Sequence, residues 1–87
     1  MHEASIMNDL MGKITDIAKQ EGVSRITCVD VWLGALSHMS ADHFREHFEE
    51  SSKGSLAEGA RLVVECSDDI RDPNAQSIML RSIEAED

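Results

Sequence analysis

The first three residues, Met1-His2-Glu3, hold the densest chemistry in the chain. Histidine at the second position is too large for efficient removal of an initiator methionine, so Met1 is expected to stay. The Met1 α-amine, the His2 backbone amide nitrogen and the His2 imidazole can then close adjoining chelate rings around one ion. Such an all-nitrogen, tetragonal set suits Ni(II) or Cu(II), whereas thiolates would suit zinc or Cu(I). Glu3 can add its amide nitrogen or its carboxylate. Taken alone the signal is weak, because a Met-His start is common and a solvated terminus is its ordinary reading. His43 and His47 form an i,i+4 pair that shares one helical face. With Glu46 and Glu50 interleaved and no third ligand adjacent, a solvated face is favoured, and a low-affinity zinc or nickel site is the alternative. Cys28 and Cys66 are too few for a disulfide framework and lack Cys-x-x-Cys spacing. Both are expected to be reduced thiols on strands. No Gly-rich phosphate loop, nucleophile elbow or Ser/His/Asp motif is visible, so catalysis is not expected.

These groups need elements to position them. Ile6, Met7, Leu10, Met11, Ile14, Ile17 and Ala18 recur at spacings of three and four, which predicts an amphipathic helix from about Ala4 or Ser5 to a stop at Gly22. Arg25 to Leu33 alternates as a strand, with Val29, Val31 and Leu33 on one face and Ile26, Cys28, Asp30 and Trp32 on the other. Ser40 is a good N-cap for a second helix, with Asp42 in its first turn and Phe44 and Phe48 four apart. Residues 61–66 make a second strand, and Pro73 with its Asp and Asn neighbours marks a loop. The last strand is expected over about 76–84, with a bulge near Arg81 or Ser82 where the apolar phase slips. The expected fold is a single small α/β (α+β) domain of order α-β-α-β-β, two helices covering one face of a three-stranded sheet. Trp32, Val63 and Met79 would then point away from the helices. A partner contact or homodimer through that face is the sharper expectation, and a partly covered surface is the plain one.

Composition narrows the function classes. The chain has 87 residues, 41% hydrophobic and 29% charged, which is a globular balance for one small domain. Its net charge of −9 argues against nucleic acid and against a polybasic membrane role. No apolar run approaches the ~18–20 residues of a bilayer span, so a soluble, cytoplasmic protein is expected.

Met1-His2-Glu3, Ser5-Ile6-Met7, Arg25-Ile26-Thr27-Cys28-Val29, Leu33-Gly34-Ala35-Leu36-Ser37, Phe44, Phe48, Lys53 to Leu62 and Leu80 to Glu84 together resemble the HypA/HybF family of hydrogenase nickel-incorporation metallochaperones. The resemblance implies a small nickel-binding domain over 1–87 in which Met1 (through its amine), His2 and Glu3 hold Ni2+. It also implies a role in maturing a [NiFe]-hydrogenase or related nickel enzyme, with a HypB-type GTPase and the hydrogenase large subunit as partners. Relatives often carry an acid before the second helix. Here that position is Ser40, so His38 and Asp42 are the candidate additional ligands. Family members also insert a zinc domain with two Cys-x-x-Cys pairs. No such pair lies between residues 66 and 76, and no structural zinc is expected. A metal-free interaction or assembly-scaffold subunit is the competing expectation.

Overall fold

The computed structural model describes residues 3–86, with side chains from Ser5 onward. The elements are α1 (Glu3–Glu21), β1 (Arg25–Leu33), α2 (Ala41–Ser52), β2 (Arg61–Cys66) and β3 (Ile78–Glu86). The sheet order is β2-β1-β3, with β1 parallel to β2 and antiparallel to β3. The α-β-α-β-β order and the two-helix, three-strand composition are as expected.

α1 stops for a local reason. Gly22 adopts a φ of +69°, its N–H donates to the Lys19 carbonyl at 3.3 Å, and the Val23 N–H donates to the Ala18 carbonyl at 3.1 Å. This is a left-handed helix end, in which a glycine lets the chain reverse without a Cβ clash. Val23 packs back on the core beside buried Ala18. β1 therefore starts within a few residues and runs back along α1. Because β1 and β2 are parallel, no hairpin can join them, and α2 supplies the crossover.

One core joins the layers. Met7, Leu10, Ile14 and Ala18 of α1 meet Phe44 and Phe48 of α2 over Val29, Val31, Leu33 and Leu62 of the sheet. Val64, Ile78, Leu80 and Ile83 pack at its margin. With so few aromatics in the chain, the two buried phenylalanines are its largest fully buried side chains, each contributing on the order of 2 kcal/mol of apolar transfer. The Arg45 guanidinium also reaches across to donate to the Leu62 carbonyl at 3.0 Å, tying α2 to β2.

Three details depart from the expectations or sharpen them. β3 runs 78–86, not 76–84, because residues 75–77 are held in turns: the Ser77 N–H donates to the Asn74 carbonyl and the Leu36 N–H to the Ala75 carbonyl. The bulge falls where the phase slip placed it. Asp30 pairs with Ser82 and Val31 with Leu80, leaving Arg81 as the extra residue. A second irregularity was not expected. Ile26 pairs with Ala85 and Cys28 with Glu84, so Thr27 is extra in β1. That extra residue reverses the side-chain phase, and Ile26 sits fully buried in the core with Val29 instead of on the outer face.

Gly34, just past β1, lies against the 74–75 backbone. A Cβ there would run into the Ala75 carbonyl. Gly34→Ala should lower the unfolding free energy by about 1–3 kcal/mol, the usual cost of overpacking. Urea denaturation followed by circular dichroism checks it, and an unchanged midpoint would refute the steric argument.

Candidate metal centre

The topology sets where the candidate ligands can gather. α1 and α2 both run opposite to β1, so both helices begin at the end of the sheet where β1 finishes. Ile6, Asp9 and Leu10 of α1 share a cleft with Gln76, Ser77 and Ile78, and Ile78 is opposite Leu33 at the end of β1. The segment leaving β1 is pinned there. The Gly34 N–H donates to the Ser77 carbonyl at 2.9 Å, the Leu36 N–H to the Ala75 carbonyl at 2.7 Å, and the Ser37 N–H to the Gly34 carbonyl at 3.0 Å.

Glu3 heads α1 at this end, while Met1 and His2 lie outside the described residues. His38 follows the pinned segment, exposed, with a φ of +62°. The left-handed region is an unusual place for a non-glycine residue and costs on the order of 1 kcal/mol. Met39 next to it is buried in the core and anchors the segment. Ser40 then caps α2. Its Oγ accepts from the His43 N–H at 3.1 Å, and its carbonyl accepts from the Phe44 N–H at 2.9 Å. Asp42 stands exposed in the first turn, where the helix dipole favours a carboxylate. Among the described residues, no three His, Cys, Asp or Glu side chains are grouped so as to hold a metal ion. His38 and Asp42 thus flank the start of α2 without forming a centre with other described groups.

His43 and His47 differ from the solvated-face expectation. Both are half-buried, and their Nε2 atoms lie 3.0 Å apart, with ring centroids at 4.7 Å and planes tilted by 49°. Cys28 is buried and Cys66 exposed, both as free thiols, and Cys66 closes β2.

The outer sheet face carries the three residues that strand alternation placed there. Val63 is 39% and Met79 43% exposed, while Trp32 is half-buried beside Asp72, Asn74, Met79 and Arg81. In register, Trp32 stands between Glu65 and Met79. The bulged residue Arg81 reaches over β1 to pair with Glu65, so the bulge re-aims a guanidinium across the sheet. Asp30, also in β1, buries Oδ1 with no hydrogen-bond partner among the described residues. The phase slip at Arg81 was the only sequence signal for the Arg81–Glu65 pair.

Two helices packed on a three-stranded mixed sheet of order β2-β1-β3 make a small α+β domain, and its relatives say which class it is. Residues 1–70 match the family model described as "Hydrogenase/urease nickel incorporation, metallochaperone, hypA". Similar proteins include the hydrogenase maturation factor HypA of Chlorobaculum tepidum, 37% identical over 65 residues, and that of Pyrococcus furiosus, 35% identical over 65 residues. Those alignments cover 75% of this chain but 58% and 47% of the relatives, so the chain spans about half the length of the curated relatives it matches. The solution structure of the Ni metallochaperone HypA from Helicobacter pylori shares the fold. Its TM-score is 0.82 at 21% identity, covering 99% of this chain and 98% of that one. The chain belongs to the HypA family.

Because Ser40 fixes the first turn of α2, Ser40→Ala should cost about 1 kcal/mol. It should also speed amide hydrogen exchange at His43 relative to Phe48. Uniform exchange along α2 in the variant would count against the cap.

Proposed function

We propose that this protein is a nickel-binding accessory protein, a metallochaperone acting in the maturation of a [NiFe]-hydrogenase or a related nickel enzyme. Ni2+ is its cargo. The Met1 amine, His2 and Glu3 hold the ion, and His38 or Asp42 adds a further ligand. The observation that carries this reading is the shared end of the domain: α1 begins at Glu3 on the side of the sheet where the pinned 34–40 segment carries His38 and leads into α2, with Asp42 in its first turn. Nitrogen and carboxylate donors of this kind match a tetragonal Ni(II) set. Membership of a family described by nickel incorporation supports the same cargo.

The mechanism is transfer and not catalysis: docking on the acceptor lets its ligands replace those of the carrier one at a time. The partners are a HypB-type GTPase and the hydrogenase large subunit, and the compartment is the cytoplasm. Among the described residues, no helix is long and apolar enough to cross a membrane. We also assign no zinc module between Cys66 and Gln76. In support, β2 passes to β3 through residues 67–77, held by their own turns, including the Ala75 N–H to the Asp72 carbonyl at 2.9 Å.

Trp32, Val63 and Met79 are assigned to contact with a second copy of the chain. A two-fold interface sets a patch against itself, and this face carries apolar groups beside both an acid, Glu65, and a base, Arg81. Trp32→Ala should reduce the assembly size measured by light scattering, and an unchanged size would sink self-association.

Calorimetry with Ni(II) on untagged protein tests the cargo. About one tightly held nickel per chain is expected. His2→Ala, or extension of the N-terminus, should weaken it by more than ~10–100-fold, the range that even outer-shell changes produce at metal sites. Undetectable tight binding by the unaltered chain would favour a metal-free assembly scaffold.

A further inference from the structure

We propose that the groove between α1 and the free edge of β3 is a docking site for an extended, basic segment of a partner protein. The segment adds to the sheet as a short fourth strand beside residues 77–80. The docking requires neither a bound metal nor self-association.

The sheet order β2-β1-β3 leaves two edges, and they are not alike. On β2 the Leu62 carbonyl accepts from the Arg45 guanidinium at 3.0 Å, so α2 covers the middle of that edge. Among the described residues, β3 pairs with β1 alone. The Gly34 N–H donates to the Ser77 carbonyl, and Leu33 stands opposite Ile78 and Val31 opposite Leu80. Facing residues of an antiparallel ladder alternate between bonded and non-bonded pairs. Ile78 and Leu80 therefore aim their N–H and C=O groups away from β1, at the open edge. Beyond Leu80 the bulge at Arg81 interrupts the straight run. A bulge protects an edge from pairing along its full length, and here it leaves a stretch of four residues open.

The groove matches that stretch. Ile6, Asp9, Leu10, Lys13, Asp16 and Ile17 form one stripe of α1, and residues 76–80 lie across from it in two adjoining clefts that share Lys13, Ile78 and Leu80. An edge strand with a helix alongside is suited to strand addition: main-chain hydrogen bonds hold the guest, and alternate side chains enter the groove. Leu10 is buried and Ile6, Ile17, Ile78 and Leu80 are half-buried, so those side chains meet an apolar floor. The rim carries two acids, Asp9 and Asp16, against one base, Lys13, all exposed, in a domain of net charge −9. Charge complementarity selects a guest with lysine or arginine between its apolar residues. A second copy pairing through its own β3 would bring Glu84 and Glu86 to this acidic rim and fits it less well.

The experiment selects a random seven-residue peptide library, displayed on phage, against the immobilised metal-free 87-residue chain. Enriched sequences should alternate apolar residues with others and carry lysine or arginine more often than acids. The commonest is synthesised with blocked ends and titrated into the protein. Amide exchange should slow at Ile78 and Leu80, and chemical shifts should move along α1 from Asp9 to Ile17. Asp9→Lys/Asp16→Lys, confined to exposed positions, should weaken binding by about three- to tenfold, the range for two exposed ion pairs. A peptide N-methylated at alternate amides leaves the protein unaltered and should bind at least about tenfold more weakly, through loss of its main-chain hydrogen bonds. No enrichment, enrichment of acidic sequences, equal binding by the N-methylated peptide, or shifts centred on Trp32 and Val63 would each overturn the docking site. Protection of Ile78 and Leu80 in the free protein that disappears on dilution would give the edge to a second copy and overturn it as well.

Discussion

Two parallel strands cannot be joined by a turn, and the rest of this structure follows from that constraint. β1 and β2 run the same way, so the chain must travel the length of the sheet between Leu33 and Arg61. α2 makes that journey with Phe44 and Phe48 turned inward, and the helix becomes part of the core. α1, folded back on β1 by the left-handed turn at Gly22, runs in the same sense. Both helices consequently begin at one end of the domain. Residues far apart in sequence, at the head of α1 and in the first turn of α2, become neighbours in the plan of the fold before any ligand is considered.

The sheet itself is regular only where regularity serves the core. Two extra residues, Thr27 in β1 and Arg81 in β3, shift the pairing on either side of Cys28–Asp30. Each shift reverses which side chains face the helices. Below Thr27 it brings Ile26 inward, and beyond Arg81 it turns Ile83 toward the core after Ile78 and Leu80. The chain thereby keeps apolar residues in the core on both sides of a central segment that carries half-buried Asp30, one of whose carboxylate oxygens is buried. Asp30 Oδ1 finds no hydrogen-bond partner among the described residues, which costs stability, and the burial of Val29 and Val31 on the helix-facing side of the same strand offsets it.

Much of the fold was legible because its signals are local. The three-and-four spacing of α1, the Ser40 cap and the alternation of β1 each depend on a few adjacent residues. The Arg81 bulge was visible because Ile78, Leu80 and Ile83 cannot share a face without it. The Thr27 bulge was not, since Ile26 and Cys28 are both apolar and either could face the core. The start of β3 was misplaced because Ser77 donates to the Asn74 carbonyl and accepts from the Gly34 N–H in place of a regular ladder, and such pairings have no sequence period. The candidate ligands were legible as residue types, through the donor chemistry of imidazole and carboxylate. Their grouping was not: the 3.0 Å approach of His43 to His47 depends on side-chain rotamers, which have no sequence period.

Electrostatics bears on how the proposed cargo role both holds and releases a cation. The beginnings of α1 and α2 carry the partial positive charge of unpaired N–H groups, about half an elementary charge each. A cation placed there works against two dipoles. Asp42 opposes the second with a carboxylate in the first turn of α2, and the whole domain carries a net charge of −9. An acidic surround attracts a cation from a distance, and a locally balanced end keeps the field there shallow. In the proposed site, affinity comes from nitrogen ligands and their geometry, not from accumulated charge. Ligand-based affinity can be lost one bond at a time to an acceptor, whereas a deep charge well would release its ion only by unfolding or protonation.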